Sequence, residues 1–309
     1  MGSWIHRSGT TERRTRRAGV MMLALRGFWR LHRLATIGGV IVLLFFVTGL
    51  AAPVLMPHDP DQVNVRAALQ RPGDQHLLGT DNIGRDLLSR IIFGARVSLY
   101  ISLSAVGFGM IVGVTLGTLA AYYRRIDVPV MRLVDMLLAF PGIIVALTII
   151  SVLGRGVENL IVAIAIVQVP QFARLAYGLT LGVKVRTFVE AAVATGASDW
   201  LILTRHIVAN SLAPIVVQVS LLIPGAITTA ASLSFLGLGV PPPTAEWGAM
   251  LQNSLQWARL APHVMIIPGL ALMLVVFGFN VLGDGLRDAM DPRLRRAGGP
   301  GAPGGSATG

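Results

Sequence analysis

Few side chains in this sequence are placed to do covalent chemistry. There is no cysteine, which excludes thiolate nucleophiles, thiolate metal sites and disulfides. Lys184 is the only lysine; it sits in Gly182-Val183-Lys184-Val185 with no following Ser or Thr, so it cannot serve a phosphate-binding loop. The histidines are scattered over loops and ends, and none forms an HExxH pair. One oxygen-rich group, His76, Asp81 and Asp86, has spacing that could hold a cation, but it lacks a second histidine nearby in the sequence. Asp81 is as well placed to cap a helix, and the residues after it recur at helical spacing. No catalytic residue and no metal ligand is assigned.

A second group is organised for contact rather than catalysis. Residues 188–214 read FVEAAVATGASDWLILTRHIVANSLAP. Glu190, Ala191 and Ala192 open a short helical pattern, Gly196 interrupts it, and Asp199, Arg205 and His206 ride on a second amphipathic run. A soluble connector has little reason to carry Val193, Trp200, Leu201 and Leu203, which suggest a surface pressed against something outside the bilayer.

The elements that must position these residues are membrane helices. The chain has 309 residues, 53% hydrophobic and 13% charged, against about a quarter charged in soluble domains. Its mean hydropathy is +0.68, and the apolar residues fall in long charge-poor runs. The net charge of +11 comes from arginines beside those runs, not from an aromatic-interleaved basic patch. It therefore reads as orientation in a bilayer, not as nucleic-acid binding.

Six spans are expected, at 34–56, 97–123, 136–153, 159–181, 211–239 and 265–282, with both termini in the cytoplasm. Residues 1–33 form a basic cytoplasmic tail, and the Gly/Pro/Ser-rich residues 291–309 a disordered one. Residues 34–96 comprise the first span and an external loop, and 97–290 the core transmembrane domain. In the external loop an amphipathic helix from 76 to 99 is expected to lie along the outer surface and feed the second span. Ala105, Gly109, Gly113, Gly117 and Ala121 recur every four residues, a small-residue face for close helix packing. Pro141 should kink the third span. Gln168 and Gln171 lie at membrane depth, where amides face protein or water. With Pro141 and Gln218 they are candidates for a translocation path. Trp247 and Trp257 suit a membrane interface. Asp135 lies near an inner end and Arg174 toward the inner side, so no mid-span acid marks an ion-driven carrier.

Three stretches then carry a resemblance. Glu190-Ala191-Ala192 with Gly196 and Arg205-His206-Ile207 resembles the EAA loop of bacterial ABC importer permeases. HLLGTDNIGRDLLSRIIFGARVSL from His76 contains Gly79, Thr80, Asp81, Gly84, Arg85 and Asp86. Together with SFLGLGVPPPTAEWGAML from Ser234, it is similar to the signatures of the dipeptide/oligopeptide/nickel branch. The ending GDGLRDAMDPRLR from Gly283 resembles the second permease subunit of that branch.

The resemblance implies an all-α polytopic type I importer permease in the bacterial cytoplasmic membrane. It implies a heterodimer with a sister permease, one or two ATP-binding subunits and an extracytoplasmic substrate-binding protein. This chain would bind no cofactor itself, ATP and magnesium being used by the partner subunits. Glu190 would sit near the ATPase contact and Gly196 would make the bend. The family loop usually ends His-Ile-Leu-Pro-Asn, whereas here Ala209 stands in the proline's place, either loosening the exit or lengthening the helix.

Overall fold

The computed structural model describes residues 33–290, so the basic tail up to His32, the whole of DPRLR and the rest of the Gly/Pro/Ser-rich tail 291–309 lie outside the described residues. The fold is helical, and among the described residues the only β pairing is an isolated bridge between Thr80 and Asp86. In chain order the helices are α1 (Arg33–Leu50), α2 (Ala52–Leu55), α3 (Leu87–Tyr122), α4 (Arg124–Leu138) and α5 (Gly142–Leu153). They continue with α6 (Val157–Lys184), α7 (Thr187–Ala194), α8 (Asp199–Phe235), α9 (Trp247–Ser254) and α10 (His263–Met290).

Among the described residues four helices, α3, α6, α8 and α10, are long and apolar enough to cross a membrane, or five spans if α4 and α5 count as one. The expected number of six is thus not confirmed among the described residues, and two expected spans change form. The stretch 34–56 breaks at Ala51, where α1 ends and the four-residue α2 follows; from Arg33, the first described residue, α1 is an apolar helix. The expected span 136–153 is not a kinked rod: α4 and α5 meet at 96°. Pro141 is the cause, because it disfavours a helical Phe140 and then starts α5 with its own extended ψ of 125°.

Helix α3 also corrects the expected surface helix. It is one unbroken run of 36 residues from Leu87, so residues 87–99 of the expected surface helix are the first part of the long apolar helix itself, and 76–86 are not helical. Asp86, not Asp81, is the N-cap, accepting from the Ser89 backbone N–H.

The core centres on α3 and α6, which run parallel with α4 and α5 returning between them. The small-residue ladder makes that contact: Ala105, Gly109, Gly113, Gly117 and Ala121 are all buried. A Cβ on Gly109 would lie 2.8 Å from Gln168 Cβ, and one on Gly113 2.6 Å from Phe172 Cβ. Only glycine permits this approach. Helix α1 lies against α10 and α3, while Leu43, Leu44, Met273 and Phe277 point outward, as they would toward lipid.

Trp247 is a core residue rather than an interface anchor. It is 2% exposed, packs 5.8 Å from Phe45 between ring centroids, and donates Nε1–H to Ile91 O at 3.1 Å. Trp257 is half-buried.

Candidate functional site

The residues singled out by sequence fall into two groups on opposite faces of the bundle, with the polar span residues between them. The first group is an elbow formed by α7 and the start of α8. Helix α7 ends as a Schellman motif: Gly196 N–H donates to Val193 O and Ala197 N–H to Ala192 O, both at 3.0 Å. This closure requires a left-handed residue after the helix, and Gly196 has φ +78°. The bend expected at Gly196 is therefore present.

The elbow has its own small core of Val189, Ile202, Leu203 and Ile207, packed on Leu119, Tyr122 and Val183. Leu203 thus faces inward, contrary to its expected place on the contact surface. Val193, Trp200 and Leu201 do face outward, Trp200 with 75% of its surface exposed. Glu190, Ala191 and Arg205 are exposed as well, Ala192 and His206 half-buried. An indole this open costs hydration free energy unless something covers it.

One side chain fastens the elbow to the end of α3, and a lysine ties α6 to α3 beside it. Asp199 accepts the hydroxyls of Tyr122 at 2.8 Å and Tyr123 at 3.0 Å. The bond from Tyr123 to the Asp199 carboxylate is the main reason its phenol is pushed above the usual range. Lys184 Nζ donates to Ala121 O at 2.7 Å, giving the chain's one lysine a structural role at the end of α3. Sequence reasoning missed Tyr122 and Tyr123, although two adjacent tyrosines closing a span just before Arg124 were a signal.

Beyond Asp199 the chain does not leave the helix. Residues Ile202–Val208 form π-helical turns that continue into the rest of α8. Ala209 has φ −59° and ψ −36° and donates its N–H to Thr204 O, five residues back. Alanine here lengthens the helix, through a hydrogen bond that proline could not make.

The second group is the external signature. Gly79 and Gly84 have φ of +82° and +81°. Thr80 donates its hydroxyl to Ala67 O and accepts from Gln70 N–H at 2.9 Å. Asp81 closes a turn, its Oδ1 accepting from Ile83 N–H at 3.0 Å and Arg85 N–H at 2.9 Å, while Oδ2 takes Arg85 Nε–H at 2.6 Å. Buried Arg90 reaches Asp61 at 3.2 Å and Pro243 O at 3.4 Å, tying the segment to the α8–α9 connection. Asp86 is buried, which raises its pKa, but bonds from Ser89 and His76 outweigh this and hold it below the usual carboxylate range. His58, not singled out by sequence, also lies against Asp86, at 3.7 Å.

Glu246 was likewise missed. It caps α9, accepting from Gly248 and Ala249 N–H at 3.0 and 2.9 Å. Burial pushes its carboxyl up, and its bonds from Gly248, Ala249 and Ser234 offset that only in part.

The path candidates are not gathered in one place. Gln168 is buried and donates to Leu222 O of α8 at 3.3 Å, an interhelical contact. Gln171 and Pro141 are exposed and Gln218 is half-buried. Exposed Arg174 pairs with Asp135, joining α6 to α4.

Comparison with known proteins identifies the architecture. Residues 113–296 match the family described as "Binding-protein-dependent transport system inner membrane component". Residues 23–72 match the "N-terminal TM domain of oligopeptide transport permease C". A glutathione transport system permease protein of Pectobacterium atrosepticum is 47% identical over 275 residues, 87% of this chain and 91% of that protein. A dipeptide transport system permease protein of Alkalihalophilus pseudofirmus is 44% identical over 265 residues, covering 85% and 87%. Among solved structures, an inward-facing MetNI methionine ABC transporter chain matches with TM-score 0.52 at 18% identity, covering 65% of this chain and 97% of that one, a likeness of fold. With the bent helix pair, the elbow and the buried external signature, these matches place the chain in the binding-protein-dependent inner-membrane transport family, as a permease of an ABC importer.

Proposed function

We propose that this permease carries peptides, di- or oligopeptides or glutathione, across the cytoplasmic membrane, and that the α7–α8 elbow is its coupling joint. The observation that carries this reading is Trp200, 75% exposed in the first turn of α8, with Val193 and Leu201 also open on the elbow. Arg124, Arg125 and Arg132 flank the elbow's face, which by the positive-inside bias is cytoplasmic. The external signature is then outside, and both termini are inside.

The elbow seats on separate ATP-hydrolysing subunits, and this chain pairs with a sister permease to enclose the path. An external binding protein delivers the substrate. When the ATPase subunits close on ATP, they favour one of two arrangements of the permease pair. The chain itself binds no nucleotide. Peptide is the substrate class because the two relatives named for glutathione and for dipeptide share one chemistry, an amide-linked chain with free amino and carboxylate ends.

Reconstitution with the ATPase subunits, sister permease and binding protein in liposomes tests the reading. Labelled dipeptide or glutathione should accumulate only with ATP, and Trp200→Ala should release the ATPase subunits from the purified complex. Uptake that persists without ATP but collapses with the proton gradient would overturn it.

A further inference from the structure

Three side chains from separate stretches meet on the face that carries the external signature. His58 follows α2, His76 lies in the loop, and Asp86 caps α3. One ligand-capable atom from each lies within 4.8 Å of the other two. His76 Nδ1 is 2.9 Å from Asp86 Oδ1, and His58 Nδ1 is 3.7 Å from Asp86 Oδ2. The two imidazole rings tilt toward one another with centroids 5.1 Å apart. We propose that His58, His76 and Asp86 form a binding site for a first-row divalent cation, zinc by preference, with its remaining position open to solvent.

The donor set selects the metal class. Two imidazoles and one carboxylate suit zinc and its neighbours, whereas calcium and magnesium want six or more oxygens. The spacing fits as well. Bonds of about 2.0–2.2 Å in a tetrahedron put ligand atoms roughly 3.3–3.5 Å apart. The two observed distances run to different oxygens of Asp86, 2.9 Å to Oδ1 and 3.7 Å to Oδ2, and one ligand atom of each residue lies within 4.8 Å of the other two, so rotation of the rings and the carboxylate brings a single set to that separation. Electrostatics agree. A carboxylate facing ring nitrogens needs positive charge between them, either a proton or a cation. With each neutral ring carrying its proton on Nε2, both Nδ1 lone pairs are free for the cation.

The ligands are held from behind. Asp86 has a side chain only 2% exposed, and its Oδ2 accepts from Ser89 N–H at 2.8 Å and the Ser89 hydroxyl at 2.7 Å. The same Ser89 Oγ accepts the backbone N–H of His58 at 3.1 Å, so one hydroxyl orients two of the three ligands. In front is an open cavity of about 500 Å³, with Asp59 and Asp74 in its wall, which lets a hydrated cation enter. His58 lies 18 positions before His76 and is brought to it by the break after α1 and by the folded loop. The bound cation would staple α2, the loop and the start of α3 together. This inference does not depend on which peptide is carried.

The test uses the full chain, purified in detergent without a polyhistidine tag and stripped with chelator. Titration with Zn²⁺ by calorimetry, and with Co²⁺ by visible absorption, should show one cation per chain and the spectrum of a four-coordinate site. His58→Asn and His76→Asn should each weaken Zn²⁺ binding by at least about tenfold. Because the His58 side chain is 42% exposed, His58→Asn decides the matter even if the His76 variant does not fold. Absence of saturable Zn²⁺ and Co²⁺ binding would overturn the site, as would an affinity unchanged by His58→Asn.

Discussion

The hydroxyl of Tyr122, the last residue of α3, lies 2.8 Å from Oδ1 of Asp199, the first residue of α8. Tyr123 occupies the other carboxylate oxygen, so the elbow hangs from α3 by a two-pronged attachment to one side chain. Replacing both tyrosines by Phe, or Asp199 by Asn, leaves the bundle's packing intact. Helical circular dichroism and the melting temperature should change little, while ATP-driven peptide uptake falls several-fold. Equal uptake in wild-type and Tyr122→Phe/Tyr123→Phe liposomes would show that the attachment transmits nothing.

Gly196 offers a cleaner separation of causes. No atom lies within 4 Å of a Cβ added there, so Gly196→Ala strains only the backbone at φ +78°, by about 1–2 kcal/mol. That cost falls on the eight-residue helix α7 and its closure, not on the core. The variant should purify normally yet retain less ATPase subunit on affinity resin. Undiminished retention would remove Gly196 from the coupling joint.

The α3–α6 contact predicts the opposite pattern, loss of stability first. A Cβ at position 113 would sit 2.5 Å from Val169 O and 2.6 Å from Phe172 Cβ, so Gly113→Leu should destabilise by about 1–3 kcal/mol. Gly107→Ala, on the same helix with nothing within 4 Å of the new Cβ, is the control. It should be neutral or gain about 0.5–1 kcal/mol from helix propensity. Thermal unfolding in detergent compares the two.

Glu246 makes stability pH-dependent with a sign that can be worked out. Its folded-state pKa is raised, so the folded chain binds the proton more tightly than the unfolded one. Burial of the charged form costs stability above the folded pKa, and that cost is relieved as pH falls toward the unfolded value near 4.5. Asp86, with a lowered pKa, behaves in reverse: its contribution is present above its unfolded value of 3.8 and is lost as pH falls through the lower folded one. Between pH 7 and about 4.5 the melting temperature of wild type relative to Glu246→Gln should therefore rise as pH falls. Glu246→Ala, which removes both cap acceptors, should cost about 1–2 kcal/mol at the acid end of that range.

Much of this was legible before the fold. The four-residue ladder on α3 named its own packing face, because glycines at that spacing have one physical use between helices. Gly196 announced the bend for a similar reason. Where the sequence misled, competing signals were balanced locally and decided by distant residues. Asp81 and Asp86 both precede apolar helical spacing, and the turn from Gly79 to Arg85 hands the cap to the second. Trp247 looked like an interface aromatic until Phe45, some 200 positions earlier, covered it. His58 was silent because nothing in its neighbours tells that Ser89 will draw its backbone toward Asp86.

The unbroken helix from Asp199 to Phe235 has a mechanical consequence. At 37 residues it is a lever roughly 55 Å long, gripped at one end by Tyr122 and Tyr123 and at the other by α9, whose Gly248 sits on Ala231. A push on one grip reaches the other with no intervening loop to absorb it. Its only compliant points are the widened turns at Ile202–Val208 and the missing amide hydrogens of Pro214 and Pro224. A displacement imposed beside Trp200 would therefore reach α9, its size set by how far those three points flex.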